Sequence, residues 1–216
     1  MSNNTIGEMR QLIADDLARD DLSSQIAESI SRAIEFYKEK RFWFNETEST
    51  TFTTVSGTSD YDVDDDADIP KFIEIDSVLC GDGETKWELQ PTTPAEMKIL
   101  LENDSTGRPF QFGYFAETFH LYPIPNAAYV IRPIGQIEIA EPSADAVDSD
   151  TTNVWANEAK ELIRCRATAY VCLHTTHDAE LGSMMTAAEQ DAYQHLRRKT
   201  GKKQAIAAST IESTQF

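Results

Sequence analysis

The sequence predicts an α+β protein: helices from both ends of the chain form one bundle, and an antiparallel β-sandwich or barrel is inserted between them. Two observations predict this class. Apolar residues recur at helical spacing before residue 45 and again after residue 151, and between those points Thr and Val become dense, alternation replaces the stripe, and Gly and Pro punctuate the chain. A third observation marks the joint. The run Tyr37-Lys-Glu-Lys-Arg-Phe-Trp-Phe-Asn-Glu46 sets three aromatics where one pattern gives way to the other. Rings that large bury much apolar surface, so Phe42, Trp43 and Phe44 are expected to pack the domain junction, together with Trp155 where the helices resume.

The elements follow in order. Residues 1–45 hold two helices. The first carries Ile6, Met9, Leu12, Ile13 and Leu17; the second carries Leu22, Ile26, Ile30, Ala33, Ile34 and Tyr37, with Asp21 or Ser23 available as N-cap. Residues 46–150 form the β domain, with strands predicted over Thr47–Val55, Lys71–Cys80, Lys86–Leu89, Phe110–Phe115, Thr118–Pro123 and Tyr129–Ala140. One short helix, Pro94–Glu102, interrupts them behind Thr92 or Thr93 as cap. Residues 151–203 return to helix: Ala159, Leu162, Ile163, Ala167, Tyr170 and Val171 give one apolar face, Met184, Met185, Ala188, Ala192 and Leu196 another, and Gly201 supplies a stop. Gln204–Phe216 has one charge and no clear period, and reads as an extended tail awaiting a partner.

The 216 residues carry 19 basic and 37 acidic side chains, a formal charge of −18. That charge is not evenly spread. Residues 1–150 hold 11 basic and 30 acidic groups, residues 151–216 hold 8 and 7. Such a surface repels nucleic acid at long range and lacks the basic footprint of a sequence-specific DNA reader. No window approaches the roughly 18 uninterrupted apolar residues of a membrane span, and the N-terminus lacks a signal-peptide pattern. Cys80, Cys165 and Cys172 are too few and scattered for a disulfide framework and are expected to be free, buried thiols.

Candidate chemistry is sparse. The stretch Asp60–Asp68, DYDVDDDAD, alternates like the start of an EF-hand loop, but no register supplies the required Gly and terminal Glu, so an acidic solvated loop is expected. Cys165, Cys172, His174 and His177 cannot converge on one metal from a single helix. There is no nucleophile elbow, no His-Glu-x-x-His and no Gly-rich phosphate loop, so neither an enzyme nor a cofactor is predicted. The one concentrated positive patch is Arg197, Arg198, Lys199, Lys202 and Lys203. Cations near a helix C-terminus complement its dipole, yet five in seven residues exceed that need, which favours docking onto an acidic partner.

The ordered set of Arg41-Phe-Trp-Phe-Asn-Glu46, Phe52-Thr-Thr-Val-x-Gly57-x-x-x-Tyr61-x-Val63, Ile73-x-Ile75-Asp-Ser-Val78, Gly107-Arg-Pro109, Leu121-Tyr-Pro-x-Pro125, Ala128-Tyr129 and Asn153-x-Trp155 resembles the head-to-tail adaptors of tailed bacteriophages, of the short-tailed-phage type also called tail accessory or head completion proteins. The likeness runs from about residue 20 to 200. It departs where Tyr61 leads into Asp64–Asp68, a stretch in which relatives carry fewer acids. The resemblance implies a structural virion protein at the head-tail junction, made in the host cytoplasm: a homo-oligomeric ring of twelve under the portal protein that extends the DNA channel, which DNA crosses without specific binding, and presents a surface to the next tail or nozzle protein. It implies portal docking through the C-terminal segment, with candidates Arg197, Arg198, Lys199, Lys202, Lys203, Ile206, Ile211 and Phe216. Acids of residues 1–45, or Asp60, Asp62, Asp64, Asp65, Asp66 and Asp68, become candidates for the lumen or rim, because acid facing a channel keeps DNA from sticking. The competing reading is an acidic β-rich module that binds carbohydrate or cations, with Trp87, Tyr114 and Tyr122 as stacking faces.

Overall fold

The computed structural model describes residues 5–64, 69–139 and 153–211, with side chains up to Gln204. The helices are α1 (Ile6–Leu17), α2 (Ser23–Tyr37), α3 (Pro94–Leu101), α4 (Val154–Glu158), α5 (Lys160–Val171) and α6 (Ala179–Ile211), with a π-helical turn at Cys172–Thr176. The strands are β1 (Glu46–Thr47), β2 (Phe52–Thr53), β3 (Asp60–Tyr61), β4 (Phe72–Gly81), β5 (Lys86–Glu88), β6 (Gln90–Pro91), β7 (Thr106–Gly107), β8 (Gln111–Phe115), β9 (Thr118–Tyr122), β10 (Ile124–Pro125) and β11 (Val130–Ile137). The class is α+β. Two compact units result: a helical unit made of the chain up to Phe44 and from Ile139 onward, and a β unit, Asn45–Glu138. The boundary predicted at residue 150 falls on residues outside the described set.

In the helical unit, Thr5 caps α1 by accepting the Glu8 N–H at 3.1 Å, and Ala18 ends the helix in the left-handed region at φ 49°. The cap predicted for α2 is absent: Leu22 holds the N-cap position without a side-chain bond, and Asp21 instead accepts from the Arg19 guanidinium at 2.6 and 2.7 Å. The predicted stripe of α2 is buried in full, Leu22 to Tyr37. It packs with Ile6, Met9 and Ile13 of α1, and with Leu162, Ile163, Ala167 and Val171 of α5, in one apolar core. A two-bonded ion pair adds to it, Arg164 of α5 donating to both oxygens of Asp16 at 2.6 and 2.8 Å. That bond, which outweighs the opposing effect of burial, is why the guanidinium holds its proton more tightly than usual.

α6 buries a narrow seam. Gly182, Glu189 and Leu196 lie seven residues apart and are buried, with Ala192 and Tyr193 half-buried between them. The stop predicted at Gly201 does not occur, and the tail predicted as extended from Gln204 is helical through Ile211. A helix-interior Gly costs only about 1 kcal/mol relative to Ala, and the Lys-Lys-Gln-Ala-Ile-Ala-Ala that follows is rich in good helix formers. At about 1.5 Å per residue, the 33 residues of α6 span roughly 50 Å.

The β unit contains a five-stranded sheet, in which β11 pairs antiparallel with β1, β2 and β4, and β4 with β5, and a four-stranded sheet ordered β3-β9-β8-β6. No barrel closes, so the predicted sandwich-or-barrel resolves to open sheets. Nor is pairing antiparallel throughout: β6 runs parallel to β8, and β7 to β10. The first of these follows from α3, since a crossover through a helix brings the chain back in the same direction. The strand predicted over Thr47–Val55 is two short strands, β1 and β2, both against β11. Phe52, Tyr61, Phe72, Val78, Cys80, Phe112, Phe119, Leu121 and Ile131 make up most of the core. The motif around Gly57 and Tyr61 is a turn lock: the Tyr61 hydroxyl accepts the Val55 N–H at 3.0 Å and donates to the Thr58 carbonyl at 2.8 Å.

Burial pushes the Cys80 thiol up to about 12 from an ordinary value near 9. The folded value lies above the unfolded one, so this contribution is complete below pH 9 and is lost as pH rises through about 12. Unfolding free energy should therefore decline over that window, and Cys80→Ala should flatten the decline; an identical pH profile in the variant contradicts the assignment.

Candidate functional site

The basic stretch lies within α6, not at its end. No cation occupies the last turn of α6, since Lys203 precedes Ile211 by two turns. Dipole capping therefore does not account for these side chains, because that effect fades within the last turn.

Their individual engagements separate them. Lys199 donates to Glu158 at 2.9 Å and stands 4.9 Å from the Trp43 ring, and Lys203 lies over the same ring at 3.1 Å. Trp43 is tied to this part of α6 by its backbone N–H, which donates to Thr200 Oγ1 at 3.2 Å. Lys199 and Lys203 thus clasp an aromatic of their own chain. Arg197 stands 5.9 Å from the Tyr193 ring, and Arg198 donates to the Gln194 carbonyl at 3.3 Å. Arg197, Arg198 and Lys202 are exposed, and the last two share a face at i, i+4. Ile206 and Ile211 lie on the helix beyond the described side chains, and Phe216 lies outside the described residues.

The helix also leaves its core here. Among the described side chains Thr200 is the last buried position of the seam, and Gly201 to Gln204 are all exposed. A Cβ added at Gly201 meets nothing within 4 Å. Gly201→Ala should raise helicity and add up to about 1 kcal/mol to the stability of the α6 extension; unchanged circular dichroism and melting would contradict a continuous helix.

The aromatics predicted at the junction find their ring partners in the helical unit. Phe42 and Trp155 are fully buried in its core, Phe42 stacks on Phe44 at 5.2 Å, and Trp155 meets Phe44 edge-on at 5.3 Å. Asn153 caps the helix that Trp155 opens, its Oδ1 accepting the Trp155 N–H at 2.8 Å. Among the acids, Asp60 pairs with His120 Nδ1 at 2.7 Å, and Asp62 accepts the Asp64 N–H at 2.8 Å. Asp65, Asp66 and Asp68 lie outside the described residues. No group of three His, Cys, Asp or Glu side chains among the described residues could hold a metal ion. The rings proposed for sugar stacking have partners of their own: Arg108 lies 3.3 Å over Trp87, Tyr114 packs on Phe119 at 4.7 Å, and Tyr122 on Phe110 at 6.0 Å.

A polar cluster that the sequence did not disclose joins three helices. The Tyr37 hydroxyl and the Arg166 guanidinium both donate to Glu189 Oε1, at 2.5 and 2.7 Å, while Arg166 stacks on Phe36 at 3.4 Å. Burial first, and the bond to Glu189 second, raise the Tyr37 phenol above its ordinary value. A separation of 152 residues between two of its members hides it from any local pattern.

A family model described as SU10 adaptor protein matches residues 4–213, nearly the whole chain. The chain belongs to this phage adaptor family. The match takes in both units and all of α6, so the basic stretch and its helical extension are part of the adaptor itself. A search of the curated proteins returns no match. No described helix is long and apolar enough to cross a membrane. As a family of structural adaptors it also fits the absence of catalytic motifs in the sequence.

Proposed function

We propose that this adaptor assembles as a ring, twelve copies in number, beneath the portal of a tailed phage, where it extends the DNA channel and carries the next tail component. The C-terminal part of α6 docks on the portal. The observation that carries this reading is the departure of α6 from its core seam after Thr200, with exposed cations at Arg198 and Lys202 that serve no dipole. A helix that projects with cations on one face is suited to an acidic groove on a partner. Lys199 and Lys203 act differently, holding the root of that projection against Trp43.

The acid surplus has its use in the same assembly. A ring multiplies a surface of −18 per chain, and exposed acids of residues 1–45 that face the lumen repel a duplex carrying one charge per roughly 1.7 Å of its axis. Arg198→Glu with Lys202→Glu should weaken co-sedimentation with the portal by about tenfold or more. Binding equal to wild type contradicts the docking assignment. Neutralising the exposed acids of residues 1–45 should slow DNA ejection, and unchanged ejection counts against an acidic lumen.

A further inference from the structure

The β unit is strongly acidic, with 18 Asp and Glu against 5 Lys and Arg, yet two of those five cations flank one dent in its surface. The dent lies on the outer face of the five-stranded sheet where β4 turns into β5. Its lining includes Leu79, Gly81, Gly83, Lys86, Val130 and Arg132, with Glu84 as its one carboxylate. Register explains the depression. Across the strands Thr53, Val130, Gly81 and Lys86 form one row, and Arg132, Leu79 and Glu88 the next. Gly81 puts no side chain between Val130 and Lys86, so a large apolar residue is left 45% exposed beside a gap with a cationic rim.

The matching surface is on the same unit. After β3 the chain presents Asp62, Val63 and Asp64, an apolar side chain 44% exposed between two acids, on a segment positioned by Asp60–His120 and by the Asp64 N–H to Asp62. The two surfaces belong to different sheets, the dent to the five-stranded one and Asp62–Asp64 to the end of β3 in the four-stranded one. The dent spans β11, β4 and the start of β5. β3 is the strand farthest from β6 in its sheet, and its Tyr61 is bonded to Val55 beside β2.

We propose that Asp62-Val63-Asp64 of one copy docks into the Lys86–Arg132 dent of the next copy, Val63 against Leu79 and Val130, and the two acids toward the two cations. A contact between two different surfaces of identical chains is heterologous, and such contacts either close into rings or propagate. This rests on the ring reading above and gives it a subunit contact in the β unit.

Sedimentation equilibrium of the full chain over a concentration series tests it, with thermal unfolding confirming that each variant is folded. Wild type should self-associate, less so at high salt. Lys86→Glu with Arg132→Glu should weaken association by about tenfold or more, and so should Asp62→Lys with Asp64→Lys. An equimolar mixture of the two double variants should regain it, because the reversed dent of one matches the reversed segment of the other, and their two unaltered surfaces match as in wild type. A monomeric wild type, a double variant that associates like wild type, or a mixture that fails to recover would each overturn the contact. Portal binding of the same proteins separates the two ideas: a wild type that associates through the dent but ignores the portal defeats the adaptor docking alone, whereas portal binding with undisturbed association in the variants defeats the dent alone.

Discussion

Gly135→Ala is expected to cost more than about 4 kcal/mol, beyond the range of ordinary substitutions. Gly135 sits where the β11–β4 register shifts, between Ile134 and Gly135, and its partner strand comes unusually near. A Cβ there would stand inside the Glu74 carbonyl oxygen and 2.9 Å from Ile75 Cα. Both obstacles are backbone atoms of the central strand pair, so neither can swing aside as a side chain would. Gly107→Ala is the control, since its Cβ would meet only Pro123 at 3.7 Å, an ordinary contact. Denaturant unfolding of the two variants should differ by several kcal/mol; near-equal values would contradict the close approach.

Trp155→Ala is the largest expected loss in the helical unit, about 3–5 kcal/mol. The side chain is fully buried, edge-on to Phe42 at 6.4 Å and to Phe44 at 5.3 Å. Its deletion leaves a cavity beside those rings in the helical core. Trp155 Nε1 is buried without a partner, so Trp155→Phe removes an unsatisfied donor along with some volume and should cost much less. Urea unfolding measures both. Equal losses for Ala and Phe would mean that the ring contacts are not what the tryptophan supplies.

Part of the helical unit was legible because its information is periodic: the stripe from Leu22 to Tyr37 and, Tyr170 apart, the face from Ala159 to Val171 name buried residues directly, whereas the face read on α6 did not hold, Met184 and Ala188 being exposed while Gly182 and Glu189 are buried. The strands β4, β8, β9 and β11 were equally readable from alternation and turns. What could not be read depends on position in space. The parallel pairing of β6 with β8 follows from where α3 returns the chain, and two-residue strands such as β3 and β7 are too short to show a period. Gly201 misled because glycine marks helix ends by its freedom at positive φ, and here it occupies an ordinary helical position. For the proposed docking face, the cluster of cations was visible as composition, whereas its division into Lys199 and Lys203 on Trp43 and the exposed Arg198 and Lys202 was not. That division needs the 157-residue contact between Trp43 and Thr200.

The central claim, portal docking through the end of α6, is tested most directly by native mass measurement of the full chain mixed with the portal protein of the same phage, with and without residues 204–216. A discrete complex near one adaptor chain per portal subunit, lost on truncation, is the predicted result. A chain that stays apart from the portal, or a complex indifferent to the truncation, would contradict it.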